Sequence, residues 1–442
     1  MKYLFAFLLW STAIFAGKEP QGLTHVAWSN RATIYEVNVR QYSREGTLKA
    51  VEAQLPRLRA MGVDILWLMP IYPIGEVNRK GTLGSYYSVK DYRAVNPEFG
   101  TMDDLKHLVA EAHKKDMKVI LDWVPNHSSF DNALITQHPD WYKHDSTGKI
   151  IPPVADWTDV AALDYANPAL REYQIESMKY WLTNADVDGF RCDVAMMVPV
   201  DFWQQCRTAL DAVKPVFMLA EAEGPEFHKN GFDMTYGWEL HHLLNLIAKG
   251  EKQAADLDGY FEKNNAMYQK GDYRMYFTTN HDENSWNGTE FERMGDAARA
   301  MFVLCSTVPG MPLMYSGQEA GLNRRLKFFD KDPIDFTGLK DEVFFTKLFQ
   351  LKHNNAALAN GINGGDWVRM PSKKPGLYAF MRIKGGSKVV VVMNLSATEV
   401  KDVLAEKRMA GDYLELFSGD KVKLFESYNF SLKPWEYRVY VK

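Results

Sequence analysis

The chain has 442 residues, 46% hydrophobic and 24% charged, with a formal net charge of −4. That balance excludes the basic surplus of a nucleic-acid-binding protein and, past the N-terminus, the long apolar spans of a transporter. At about 100–200 residues per domain it predicts two or three domains, one of which can be a barrel of about 250 residues.

In chain order, the first feature is "MKYLFAFLLWSTAIFAGKEP", with one Lys, an apolar run from Tyr3 to Ala16, and a small-residue exit. This pattern predicts a signal peptide over residues 1–17, cut near Ala16 or Gly17, because the run is too short for a membrane span of about 20 residues. A secreted or periplasmic protein is expected, with no membrane span after cleavage. Cys192, Cys206 and Cys305 are odd in number and at no metal-ligand spacing, so free and mostly buried thiols are expected.

From Thr33 onward eight short apolar runs alternate with helical patterns: "TIYEVNV", "ILWLMP", "VILDWVP", "GFRCDVA", "VFMLAEA", "GFDMTY", "YRMYFTTN" and "MPLMYSG". Parallel strands with helical crossovers, and hence a TIM (β/α)8 barrel, follow from that alternation. "GTLKAVEAQLPRLRAMG" predicts one helix with Leu48, Val51, Leu55, Leu58 and Met61 on its apolar face, stopping at Gly62. "GTMDDLKHLVAEAHKKDM" predicts a second, with Thr101 as N-cap and Asp103 and Asp104 in the first turn.

Residues 127–166 form a polar, aromatic, proline-containing connection far longer than the usual loop of about 2–6 residues, and read as a domain inserted after the third strand. The barrel then occupies 18–126 and 167–361. Over 362–442 helices disappear, and six strand-like runs from "DWVRMPS" to "WEYRVYVK" predict an antiparallel β-sandwich.

A TIM barrel carries its active site at the C-terminal ends of its strands. There the third strand supplies Asp122, Asn126 and His127, the fourth Arg191 and Asp193, the fifth Glu221, and the seventh His281 and Asp282. Asp193, Glu221 and Asp282, three carboxylates from three strand ends, suit retaining glycoside hydrolysis, in which one attacks the anomeric carbon and a protonated second serves the leaving oxygen. Arg191 and Asp193 share one strand face, so the arginine is expected to keep that aspartate ionised. Glu221 needs the opposite, a pKa raised by burial and like charge. His127 and His281 each follow an Asn at a strand end and are expected to donate to sugar hydroxyls.

"DWVPNH", "GFRCDVA", the Glu of "LAEAEG" and "TTNHDEN" resemble, in order, the four signature regions of the alpha-amylase superfamily, glycoside hydrolase family thirteen. "GSYYSVKDYRAVNPEFGT" resembles a further segment of that family and makes Tyr87 the ring stacked beneath the sugar. The resemblance runs from about Ala32 to the C-terminus. It implies Asp193 as nucleophile, Glu221 as acid/base, and Asp282 as the carboxylate that binds sugar hydroxyls in the transition state. Arg191, His127, His281 and Tyr87 complete the subsite, and Asp122 is its structural aspartate.

The expected substrate is an α-glucan or maltooligosaccharide with α-1,4 and α-1,6 bonds both in view. Val194 and Ala195 resemble the pattern of neopullulanase-type and 1,6-cleaving members. A transglycosylase or sucrose-active relative shares the same site. A non-catalytic binding protein on the same barrel predicts loss of the carboxylates, and all three are present.

No cofactor is expected. Many members bind calcium through the equivalent of Asn126 together with an Asp, but here "VAALDY" puts Ala162 where that Asp is expected. A hard cation wants several oxygens, so no strong metal site is expected there.

Overall fold

The computed structural model describes residues 23–442. The predicted signal peptide lies outside the described residues.

Eight parallel strands close a barrel in sequential order: β1 (Ile34–Val37), β2 (Ile65–Leu68), β3 (Lys118–Trp123), β4 (Gly189–Cys192), β5 (Phe217–Ala220), β6 (Met234–Tyr236), β7 (Tyr273–Tyr276) and β8 (Met311–Tyr315). Each coincides with one of the eight apolar runs, β3 starting one residue ahead of its own. Because side chains alternate along a strand, Ile34, Trp67, Ile120, Phe217, Leu219, Met234, Tyr236 and Met275 fill the barrel interior. Tyr35, Leu66, Leu121, Phe190 and Cys192 face the helical layer instead. The closest interstrand approach explains one residue: a Cβ on Gly189 would lie 1.9 Å from the Phe217 carbonyl oxygen, so no larger residue fits where β4 meets β5.

The helices follow the predicted apolar stripes with one correction. The first predicted helix is two, Leu48–Glu52 and Leu55–Met61, because Pro56 at the start of the second piece has no N–H to continue the ladder. Its five apolar residues are nonetheless buried. The second helix spans Met102–His113, and Thr101 closes a full capping box with Asp104.

The segment after β3 forms a two-stranded hairpin, His127–Ser129 with Val160–Ala162, and Asn167 then caps the helix Pro168–Ala185. After the barrel comes a six-stranded antiparallel sheet and a two-stranded ribbon. One sheet face, including Phe380, Val389, Val391 and Val439, joins the barrel's outer core. The other, including Met381, Val390 and Val392, packs against Val400, Leu404, Phe430 and Leu432 of the ribbon. The ribbon strands Val400–Ala405 and Ser427–Leu432 are additions to the six predicted runs. Only Val400 and Leu404 of the first and Phe430 and Leu432 of the second are buried, so neither reads as an apolar run.

All three cysteines are free and buried. No helix among the described residues is long and apolar enough to cross a membrane.

Candidate active site

The inward faces of the strands change character toward their C-terminal ends. Ile34 is followed two residues later by Glu36, Ile120 by Asp122, Gly189 by Arg191 and Leu219 by Glu221, so strand alternation alone delivers these groups to the mouth. Asp122 and Arg191 are direct neighbours across the β3–β4 ladder.

Arg191 is fully buried and organises the centre. Its Nη1 donates to Asp122 Oδ1 at 2.8 Å and to Asp193 Oδ1 at 2.9 Å, and its Nε donates to Tyr236 Oη at 3.2 Å. Its Nη2 lies 2.8 Å from Glu221 Oε2, an ion contact without hydrogen-bond alignment. The guanidinium also sits over the rings of Trp67, Tyr87 and Tyr236 at 5.1, 5.7 and 5.8 Å. One cation thus bridges the three carboxylates from β3, β4 and β5.

A second chain of hydrogen bonds enters from β1. His281 Nδ1 donates to Glu36 Oε1, and its Nε2 lies 2.8 Å from Tyr87 Oη and 3.2 Å from Asp282 Oδ2. Tyr87 in turn donates to Asp122 Oδ2 at 3.0 Å, as does the Trp67 indole at 3.1 Å. Burial opposes a charged imidazole, but Asp282 and Glu36 together raise the His281 pKa well above its ordinary value. A cationic His281 then donates from both nitrogens.

Burial and neighbouring charges set the carboxylates apart. Burial pushes Glu221 up to about 7 against the pull of Arg191, with Asp193 and Asp282 adding to the rise. Burial likewise pushes Asp193 up to about 6, although Arg191 pulls it down. This corrects the expectation that Arg191 keeps Asp193 low: the arginine is shared, and desolvation outweighs its portion. Asp282 falls below the usual range: its own burial acts the other way, but His281 draws it down, helped by Arg191 and the Trp286 side chain. The order Asp282, Asp193, Glu221 therefore runs from most to least acidic.

These groups open into a cavity of about 640 Å³ that also touches Tyr87, His127, Trp157, Trp286, Phe328 and Phe329. Every predicted catalytic and sugar-binding residue except Arg191 lines it. Arg191 lies one layer beneath, with Asp122. His127 is buried, which drops its pKa to about 4, so it is a neutral imidazole; its ring meets Trp157 edge-on at 5.5 Å. The Asn126 Nδ2 lies 3.3 Å from His127 Nδ1 and 3.8 Å from the Met197 thioether. Ala162 pairs across the hairpin ladder with His127.

Several contributors escape the sequence reading. Glu36 sits in the first apolar run, where its inward parity with Ile34 is the signal that finds it. Trp286 belongs to a π-helical turn, Glu283–Asn287, directly after Asp282; the turn leaves the indole half exposed, with Phe328 and Phe329 at 5.1 and 5.7 Å. Val194 has φ +36 and ψ +46, a left-handed conformation rare for a β-branched residue, and its N–H donates to Glu221 Oε2 at 2.7 Å. The backbone beside Asp193 thereby grips Glu221.

Residues 15–342 match the family model described as alpha amylase, catalytic domain, and residues 369–439 match that described as maltogenic amylase, C-terminal domain. An alpha-amylase, MalA, of Haloarcula japonica is 27% identical over 84% of this chain, which spans 56% of that relative's own length. Among solved structures, an alpha-amylase from Lactobacillus plantarum is 32% identical with a TM-score of 0.84, covering 94% of this chain and 99% of its own. A noncanonic maltogenic alpha-amylase, AmyB, from Thermotoga neapolitana is 29% identical with a TM-score of 0.85, covering 93% and 98%.

Proposed function

Because the chain belongs to the alpha-amylase catalytic-domain family, we propose that it hydrolyses α-glucans and maltooligosaccharides with retention of anomeric configuration. The observation that carries this reading is the single guanidinium of Arg191 bridging Asp193 and Glu221 at the cavity floor. Asp193 attacks the anomeric carbon and forms a glycosyl-enzyme as the bond to the leaving oxygen breaks. Glu221, protonated in the free enzyme, gives its proton to that oxygen. Its carboxylate then takes a proton from water, whose oxygen displaces Asp193.

The acidities suit this division. Between pH 6 and 7 Asp193 is half ionised or more while Glu221 keeps half or more of its proton. Asp282, the most acidic of the three, accepts hydrogen bonds from sugar hydroxyls, with His281 donating alongside it. Tyr87 presents its ring to the sugar, and neutral His127 donates to a hydroxyl.

No calcium is proposed at Asn126, because Ala162 stands where the partnering Asp is expected and a hard cation wants several oxygens. Export is part of the proposal through the apolar run ending at Ala16, and N-terminal sequencing of the mature protein checks it.

The deciding experiment incubates the protein with maltoheptaose, pullulan and panose and follows the anomer released by NMR. Initial release of the α-anomer is expected. The β-anomer first, or no cleavage, overturns the mechanism.

A further inference from the structure

The cavity has two unlike ends. Glu221, which serves the leaving group, follows β5, so the aglycone lies on that side. In a closed eight-strand ring the strand opposite β5 is β1, so on the hydrolase reading the glycone would extend toward β1 and its neighbours β2 and β8. There the loops are stitched together.

The loop after β2 forms a strap between the inserted hairpin and the loop after β8. On the hairpin side, Lys80 Nζ donates to the Asp156 carbonyl at 2.9 Å and pairs with Asp159 Oδ1 at 3.1 Å, while Asn78 donates to the Thr158 carbonyl at 3.2 Å. On the other side, the Leu83 N–H donates to the Phe329 carbonyl at 2.9 Å. Gly81, at φ +62, lies so close that a Cβ would stand 2.4 Å from Phe329 Cβ. Beneath both, buried Arg40 donates to the carbonyls of Leu83, Gly84 and Phe328. Lys80, Asp156, Asp159, Phe328 and Phe329 all line the cavity, so the strap is its wall.

Resting on the hydrolase reading above, we infer that this strap closes the glycone end of the cavity, so that the protein takes free non-reducing chain ends and releases a short unit, with Lys80 and Asp159 as the specificity-determining pair. A chain bound for internal cleavage must run onward past the glycone subsites. On this inference the Lys80–Asp159 pair, which ties the loop after β2 to the inserted segment at the cavity wall, blocks that path. Asp159 is nearly buried and Lys80 about one-third exposed, which favours a lasting contact over a solvated surface pair.

The test compares 4-nitrophenyl α-maltoheptaoside with the same compound carrying an ethylidene block on its non-reducing glucose. The wild-type protein is expected to cleave the free substrate and to cleave the blocked one at least about 100-fold more slowly, since a closed wall excludes an end group by steric conflict. In Lys80→Ala the ratio of blocked to free rates is expected to rise at least about tenfold, and Asp159→Asn, which keeps the side-chain shape, provides the same readout should the first variant fold poorly. Equal wild-type rates on both substrates overturn the inference and leave the hydrolase reading standing. Wild-type exclusion with an unchanged ratio in both variants overturns the role of the pair. Cleavage of neither substrate overturns the hydrolase reading and this inference with it.

Discussion

Arg191 and Arg40 are both almost fully buried at the same end of the barrel, but the first meets carboxylates and the second donates to backbone carbonyls while lying over the Tyr86 ring. Arg191 gathers charge from three strands into the reacting centre. Arg40 gathers two loops into the cavity wall. A buried guanidinium can therefore serve chemistry or shape, and its partners decide which.

The comparison breaks most sharply at Asp193. Asp193→Asn is expected to lower kcat by roughly three orders of magnitude or more with an unchanged circular dichroism spectrum, since it removes the attacking group. Substantial retained turnover contradicts its role as nucleophile. The two arginines come next. Arg191→Met strands three carboxylates in a buried site and is expected to cost about 3–5 kcal/mol in urea unfolding. Arg40→Met leaves carbonyls unpaired, with an expected cost of about 1–3 kcal/mol. If Arg40→Met proves the more destabilising, the contrast drawn between them fails.

Acidity sharpens the same contrast, because burial beside Arg191 pushes Asp193 up to about 6 and Glu221 up to about 7. The profile of kcat/KM is expected to fall below about pH 6 as Asp193 gains a proton and above about pH 7 as Glu221 loses one. The raised pKa of Glu221 also has a stability sign: its contribution is full below the usual carboxylate range and is lost as pH rises through about 7. Glu221→Gln is therefore expected to raise Tm relative to wild type at pH 8 and to do so less at pH 5, by calorimetry. The smallest effect is expected at Trp286. Trp286→Ala removes a half-exposed ring worth about 0.5–1.5 kcal/mol, so KM rises up to about tenfold while kcat changes less.

Much of the centre was legible in the sequence because it obeys strand parity. Asp122, Arg191 and Glu221 each stand two residues beyond an inward residue of a strong apolar run. Asp193, His281 and Asp282 follow their strand ends closely, and both position and motif point to them. The wall was not legible, since Lys80, Asp159 and Phe329 come from three loops whose meeting depends on the closed ring. The raised pKa of Asp193 is hidden from the sequence for a related reason. Its proximity to Arg191 can be read from spacing, whereas the sharing of that charge with Asp122 and Glu221 is a tertiary fact. Pro56 was in plain view, and its missing N–H accounts for the divided helix.

The left-handed turn at Val194 makes its amide a sensor of proton traffic. That N–H is held 2.7 Å from the carboxyl oxygen of Glu221, so every gain or loss of the acid's proton changes the hydrogen bond the amide feels. Isotope labelling of valine nitrogen turns this single backbone position into a spectroscopic pH meter inside the cavity, read while the site is empty and again when an inhibitor fills it.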